Sequence, residues 1–312
     1  MLLKFLVFFS NVVLPLIVGY TIQRISRIPR EKFNIMIRIN LALFLPIATM
    51  LSFWNMNFTR DVLILPVIGF IIPLVGLILG ILIGNIRYDS SSKRGSFIAC
   101  AMLSNRKTIG GLTAYIIFGE VAYLNMNLVL LFNDITSYMI AHPVGHYYGH
   151  ADKGGYRVTL KSLVFRITNI GILGILIGII LNLSGIERPA VFAQILDKLI
   201  KICGWIALLP IGASIDLTRV KGYFKDIPSI FLIKFIIMPV LTLLIAFPLI
   251  KDPIALATVF IIAISPVAIN SVVVAKLNNL DEDLAISAFL TSTTVFIVLI
   301  FPILLVAGQM IL

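Results

Sequence analysis

Long apolar runs recur along the whole chain and are separated by short polar segments. Each run reaches roughly 20 residues, the length that an α-helix needs to cross the hydrocarbon core of a membrane. Ten runs can be placed, and we number them spans 1 to 10: residues 2–21, 34–54, 62–86, 95–118, 121–148, 165–184, 191–213, 228–250, 254–277 and 284–311. The pattern therefore predicts an all-α membrane protein with ten transmembrane helices.

The composition supports this prediction and explains the positive charge of the chain. Hydrophobic residues make up 60% of the 312 residues and charged residues 12%, and the mean hydropathy is +1.07. A soluble domain carries roughly 25% charged residues. Most Lys and Arg residues lie in the loops after spans 1, 3, 5, 7 and 9, so the positive-inside rule predicts that these loops are cytoplasmic and both termini extracytoplasmic. The net charge of +11 thus reflects orientation in the cytoplasmic (inner or plasma) membrane and not nucleic-acid binding.

The longest polar segment, "HYYGHADKGGYRVTLK" at 146–161, divides the spans into two groups of five. We expect residues 1–150 to form a first repeat, 151–164 a cytoplasmic linker and 165–312 a second repeat. Similar sequences recur at an offset near 165: "FIIPLVGLIL" at 70–79 with "FIIMPVLTLL" at 235–244, "LFLPIATM" at 43–50 with "ALLPIGAS" at 207–214, and Asn105 with Asn270. Because each group has an odd number of spans, the two copies must have opposite orientations. This inverted repeat is typical of secondary transporters.

Inverted repeats place the substrate site near the membrane midplane, between helices that are broken at matching positions. In span 9, Pro266 removes a backbone hydrogen bond, and Asn270 follows four residues later. In span 4, Gly110 and Gly111 weaken the helix close to Asn105. The alternative is a simple kink at Pro266 and interhelical hydrogen bonds from the two asparagines.

Three segments of the second half resemble the auxin efflux carrier family, the PIN-like carriers that include bacterial organic-anion permeases. They are "LLPIGASIDL" at 208–217, "FIIMPVLTLL" at 235–244 and "AISPVAINSVVVAKLNNLDEDLAISAFLTSTTVFIVLIFPILL" at 263–305. The resemblance implies two inverted five-helix repeats, as in bile-acid symporters and sodium–proton antiporters, with broken helices 4 and 9 crossing at the substrate site. Helices 1, 2, 6 and 7 would form a scaffold, and helices 3–5 and 8–10 a transport domain.

The same resemblance implies that Asn105 and Asn270 are the polar residues at the two break points and that Pro266 breaks helix 9. Thr108 and Ser271 extend the candidate substrate-binding set. The sequence departs from the family in helix 4, "NRKTIGGLT", where Leu112 stands at the place of an expected proline.

Arg106 and Lys107 follow Asn105 within an apolar span, where a charge costs at least roughly 2.5 kcal/mol. One interpretation is that they bind an anionic substrate, since an arginine offers a bidentate fork to a carboxylate. A second is that a basic residue replaces the coupling cation of related carriers. A third is an internal ion pair with Asp134 or Asp197.

Asp134 begins an i, i+4 series in span 5 that continues with Tyr138, His142, His146 and His150. Chains of Asp and His can relay protons, so Asp134 and His142 are candidates for proton coupling. We expect no metal site, because Pro143 interrupts this face and His146 and His150 lie near the water boundary. Lys234, near the inner end of span 8, is expected to extend to the membrane interface.

These observations predict a secondary transporter that moves a small organic anion, a carboxylate, by alternating access. A cation-coupled symporter of the bile-acid–sodium type and a channel-like facilitator are the alternatives, with a proton favoured over sodium as the coupling ion. The sequence contains no metalloprotease, serine-hydrolase or paired-carboxylate motif, and we expect neither enzymatic activity nor a cofactor. The other expected partner is membrane lipid, and a homodimer is compatible with the sequence.

Overall fold

A computed structural model of the chain describes residues 2–26, 28–57, 59–149, 170–214, 223 and 225–311. This part of the chain is 84% helical and contains no β-strand. The predicted linker at 151–164, the start of span 6 and His150 lie outside the described residues.

Thirteen helices, numbered in chain order, cover the described residues. They are α1 (Leu2–Ser26), α2 (Glu31–Trp54), α3 (Arg60–Arg87), α4 (Ser91–Met102), α5 (106–118), α6 (Glu120–Val129), α7 (133–149), α8 (Ile170–Leu183), α9 (Val191–Ala213), α10 (Ile227–Ala246), α11 (Pro253–Ala263), α12 (Ile269–Leu277) and α13 (Glu282–Gln309). Several helices contain one π-helical turn, including Asn40–Phe44 in α2, Arg106–Gly110 in α5 and Leu232–Ile237 in α10. Such turns often mark functional sites.

Five helices in the described residues, α1, α2, α3, α10 and α13, are long and apolar enough to cross a membrane. The sequence pattern predicted ten spans, and the difference has physical causes. Spans 4, 5 and 9 are each divided into two shorter helices. Span 7 corresponds to α9, which is 23 residues long but carries Asp197, Lys198 and Lys201.

The helices pack in two groups. In the first, α9 packs against α1 and α2, and α8 packs against α2. Small residues allow these close contacts: a methyl group on Gly19 of α1 would overlap the carbonyl of Leu209 in α9, and one on Gly178 of α8 would meet the carbonyl of Met50 in α2. In the second group, α3, α5, α6, α7, α10, α12 and α13 pack around α4 and α11. Phe97, Ile98 and Ile262 are fully buried there.

Candidate functional site

Two helices of the second group are interrupted, and their interruptions lie side by side. Leu103–Asn105 separate α4 from α5, and Ile264–Ala268 separate α11 from α12. The Asn105 amide donates to the Pro266 carbonyl at 2.7 Å, and the Ala268 amide donates to the Leu103 carbonyl at 3.1 Å. The two non-helical segments therefore cross as a short antiparallel bridge and satisfy each other's backbone groups, as an apolar environment requires.

The interruption in span 4 lies at Leu103–Asn105 and not at Gly110 and Gly111, where the sequence predicted it. Gly110 ends the π-helical turn of α5, and Gly111 continues the helix. Glycine lowers the stability of a helix but does not end one, whereas the pairing with residues 264–268 satisfies the backbone groups freed at Leu103–Asn105. The glycines instead permit close packing, because a methyl group on Gly110 would overlap Ser265 Oγ and one on Gly111 would lie 2.9 Å from Met126 Cε. Pro266 lies within the second interruption.

A cavity of about 330 Å³ opens at the crossing and lies between the two helix groups. The crossing, α5 and α12 form one wall, and α2, α7 and α9 form the others. The lining residues on these other helices include Ile37, Asn40, Leu41 and Leu45 of α2, Asn133, Asp134 and Tyr138 of α7, and Ile200, Cys203, Gly204, Ala207 and Ile211 of α9.

Five of the six predicted substrate-binding residues line this cavity: Asn105, Arg106, Lys107, Thr108 and Asn270. Ser271 does not, because its fully buried hydroxyl donates to the Ala268 carbonyl at 2.7 Å within α12. Of the two candidates for proton coupling, Asp134 lines the cavity, whereas His142 lies about two turns farther along α7 and stacks on Tyr138.

The amino-terminal ends of two helices face the cavity. Helix α5 begins at Arg106 and α12 at Ile269, and residues at both starts line the cavity wall. Neither start has a side-chain cap from Asn105 or Ala268. The first amides of a helix lack intrahelical partners and carry a partial positive charge. Both ends therefore favour a negatively charged ligand.

Arg106 adds a full positive charge to this wall. Its side chain is 2% exposed, and Nη2 donates to the Met102 carbonyl at 2.9 Å. Its Nε has no hydrogen-bond partner, and the Nδ2 of neighbouring Asn105 has none either. Lys107 is exposed beside the two residues. The wall thus presents donors whose hydrogen-bonding capacity is not used within the described chain.

The ion pair of Arg106 or Lys107 with Asp134 or Asp197, the third interpretation of these basic residues, is not formed in the described residues. Asp197 instead accepts from Lys201 Nζ at 2.6 Å and from the Tyr115 hydroxyl. The lysine lies one turn away on the same helix face, which makes it the nearer partner.

Lys234 takes a position that the sequence did not predict. It is 0% exposed and does not extend to the membrane interface. Its Nζ donates to the Ala101 carbonyl at 2.7 Å, the Leu103 carbonyl at 3.2 Å and Ser104 Oγ at 2.8 Å. The ammonium therefore lies at the carboxyl-terminal end of α4, next to the crossing. Its isolation within the apolar run "FLIKFII" was the available signal, since a charged residue inside a span is a functional candidate by default.

Comparison with known proteins found one family that the second half of the chain resembles. A family model described as membrane transport protein matches residues 155–305. No curated protein matches the chain. The family consists of transporters and not of enzymes, so the predicted transport role is confirmed at this level, and the apolar helices agree with a multi-pass membrane protein. Residues 155–305 thus resemble the membrane transport protein family, the family of the auxin efflux carriers and PIN-like transporters.

Proposed function

We propose that the protein is a secondary transporter that carries a small organic anion across the cytoplasmic membrane, with the substrate bound in the cavity at the crossing. The observation that carries this proposal is the unpartnered Nε of buried Arg106 beside two uncapped helix starts. An arginine buried in an apolar environment without a carboxylate partner is costly, and an anionic substrate would supply the missing partner.

The lining of the cavity favours an organic anion with an apolar body. Arg106 and Lys107 provide positive charge at one wall, and Asp134 is the acidic residue among the described lining residues. The opposite wall is largely apolar and includes Ile200 and Ile211 of α9. A volume of about 330 Å³ suits a small ligand, with a carboxylate at the crossing and an apolar body against α9.

We further propose that the chain contains ten spans arranged as two inverted five-helix repeats. Helices α4–α5 and α11–α12 would be the equivalent broken spans, since each pair is interrupted at the point where the two segments cross. Helices α1, α2, α8 and α9 would form the scaffold, and the second group would be the transport domain. Alternating access would follow from movement of one group against the other.

The contacts between the two groups support an inward-facing state. The cavity is lined mainly by the first half of α2 and the second half of α9, the halves that lead to the predicted cytoplasmic loops after spans 1 and 7. At the opposite end the groups are joined by three polar contacts: Arg188 with Glu120, Tyr115 with Asp197, and Lys4 with the Ile117 carbonyl. The outward-facing state would require these contacts to break.

Asp134 supports proton coupling as an addition to this function. Its carboxyl group lies at the cavity wall with Asn133 and Tyr138, and forms no ion pair among the described residues. Protonation of Asp134 would reduce the negative charge that an anionic substrate meets in the cavity.

Ligand-dependent melting of the purified protein tests the substrate class. Acetate, lactate, malate and indole-3-acetate would be compared with chloride at equal ionic strength. A carboxylate at about 100 times its dissociation constant should stabilise the wild type by roughly 2.7 kcal/mol. Arg106→Gln should lose this stabilisation. Lys276→Gln is the matched control, because it removes one positive charge at the other, exposed end of α12.

Two results would contradict the proposal. One is an equal carboxylate shift in Arg106→Gln and the wild type, which would remove the arginine from the site. The other is the absence of both a shift and carboxylate counterflow in proteoliposomes, which would exclude these anions as substrates.

A further inference from the structure

The carboxyl-terminal end of α4 is a place where oxygen atoms converge without helical partners. The last carbonyls of a helix lack intrahelical donors and carry a partial negative charge. Here the chain turns away after Met102, so the carbonyls of Ala101 and Leu103 and the hydroxyl of Ser104 point at one spot. Broken helices of secondary transporters use such carbonyls to hold coupling cations.

In this chain the spot is filled by the side chain of Lys234. An ammonium group has three N–H donors and no acceptor, and the three oxygens at 2.7, 2.8 and 3.2 Å match those donors in number. A charged lysine would therefore have one acceptor for each of its three N–H groups. Carbonyl and hydroxyl oxygens are also the ligands that a hard metal cation prefers.

Lys234 holds its position although another cation lies nearby. Arg106 is close enough to repel it, and its guanidinium donates to Met102, the remaining carbonyl of the same helix end. A second, mobile cation at this end of α4 would meet two fixed positive charges.

We propose that Lys234 is a built-in substitute for a coupling cation: its ammonium occupies the cation position at the crossing and makes the transporter independent of sodium. Lys234 is a positioning residue. It holds Ala101–Ser104 in the interrupted conformation, and thereby keeps Asn105 and the start of α5 directed at the cavity. The inference rests on the proposed transport function, but it concerns the cation and not the anion.

The test is the melting temperature of the purified protein in sodium, ammonium and choline chloride at equal ionic strength, without any carboxylate. The wild type should melt at the same temperature in all three salts. Lys234→Ala should melt several degrees lower in choline, and sodium or ammonium should recover part of this loss by occupying the emptied oxygen site. Lys234→Met fills the space without a charge, so it should melt lower than the wild type and show no recovery.

Three results would overturn the proposal. They are sodium-specific stabilisation of the wild type, a Lys234→Met variant as stable as the wild type, and a Lys234→Ala variant with the same melting temperature in all three salts. Lys276→Ala is the control for general salt effects on an exposed lysine.

If Lys234→Ala does not fold, the wild-type salt series and the uptake of a carboxylate in sodium and in choline still decide the question. Equal uptake supports the proposal, and loss of uptake in choline overturns it. A failure of the carboxylate series alone would leave the cation result standing, so the two proposals can fail separately.

Discussion

Gly110 lies where α5 packs against Ser265 of the second interruption. A methyl group there would overlap Ser265 Oγ, while Ser265 Cβ would lie at 3.3 Å and Ile262 Cδ1 at 3.4 Å. Gly110→Ala should therefore destabilise the protein by about 1–3 kcal/mol, the usual range for overpacking. The double variant Gly110→Ala/Ser265→Ala should recover much of the melting temperature, because it removes the overlapping oxygen.

The single variant Ser265→Ala is the control for this cycle. It removes the hydrogen bond from Ser265 Oγ to the Ile261 carbonyl, which is worth about 0.5–1.5 kcal/mol. Additive losses in the double variant would show that Gly110 does not act through Ser265, since residues in direct contact are expected to couple.

Three residues show how far chemistry alone predicts the crossing. Pro266 was expected to break a helix because proline cannot donate a backbone hydrogen bond, and it lies in the second interruption. Gly110 was assigned to the other interruption, but glycine permits many conformations and selects none. Lys234 was placed at the interface because hydropathy gives the depth of a residue and not the direction of its side chain. Its partners come from another helix and are more than 100 residues away in the sequence.

At the scale of the helix, Asp281 fixes the start of α13. Its Oδ1 accepts from the Leu284 amide at 2.9 Å, which is an N-cap, and its Oδ2 accepts from the Tyr223 hydroxyl at 3.1 Å. Burial and the hydrogen bond to Asp281 raise the pKa of Tyr223 to about 12, so the hydroxyl stays protonated and donates at neutral pH. Asp281→Ala should cost about 1–2 kcal/mol, measured by thermal melting.

Asp281→Asn separates the cap from the charge. Asparagine caps a helix about as well as aspartate, so this variant should keep most of the stability. Hydrogen exchange at Leu284 should increase in Asp281→Ala only. Equal destabilisation by alanine and asparagine would contradict the cap and assign the effect to the carboxylate charge.

Helix positions were predictable from the apolar pattern, but their interruptions were predictable only in part. An apolar run reports that a segment avoids water, and it looks the same whether the segment is one helix or two. The interruption of span 5 at residues 130–132 contains no proline or glycine, so no helix-breaking residue marks it. The interruption at Leu103–Asn105 is stabilised by pairing with residues 264–268, which is a tertiary contact.

At the scale of the whole molecule, the sequence predicted helices and a membrane protein, but not which helices pack together. Grouping depends on small contact residues such as Gly19 and Gly178, whose partners cannot be identified from apolar periodicity. The polar contacts between the two helix groups could not be predicted from the sequence either. Glu120 begins α6 and Arg188 lies in the loop between α8 and α9, yet their side chains form a bidentate pair at 2.5 and 3.0 Å, and Arg188 Nη1 also donates to the Leu51 carbonyl.

The last prediction concerns the movement of one helix group against the other, which the Glu120–Arg188 pair would oppose. Cys203 lines the cavity, whereas Cys100 is fully buried outside it, so the chain carries a native probe of cavity access. A membrane-impermeant anionic thiol reagent, sulfonatoethyl methanethiosulfonate, should label Cys203 from the face of the basic loops. Right-side-out and inside-out vesicles would present the two faces separately. Cys203→Ser should abolish the labelling.

Glu120→Gln should increase labelling of Cys203 from the opposite face. The substitution removes the charge that makes the bidentate pair strong and leaves Arg188, whose side chain is only 6% exposed, without its counter-ion. Weakening a contact that exists in one conformation shifts the population toward the other. Equal labelling from both faces in the wild type, or an unchanged ratio in Glu120→Gln, would show that the Glu120–Arg188 pair does not hold this end of the transporter closed.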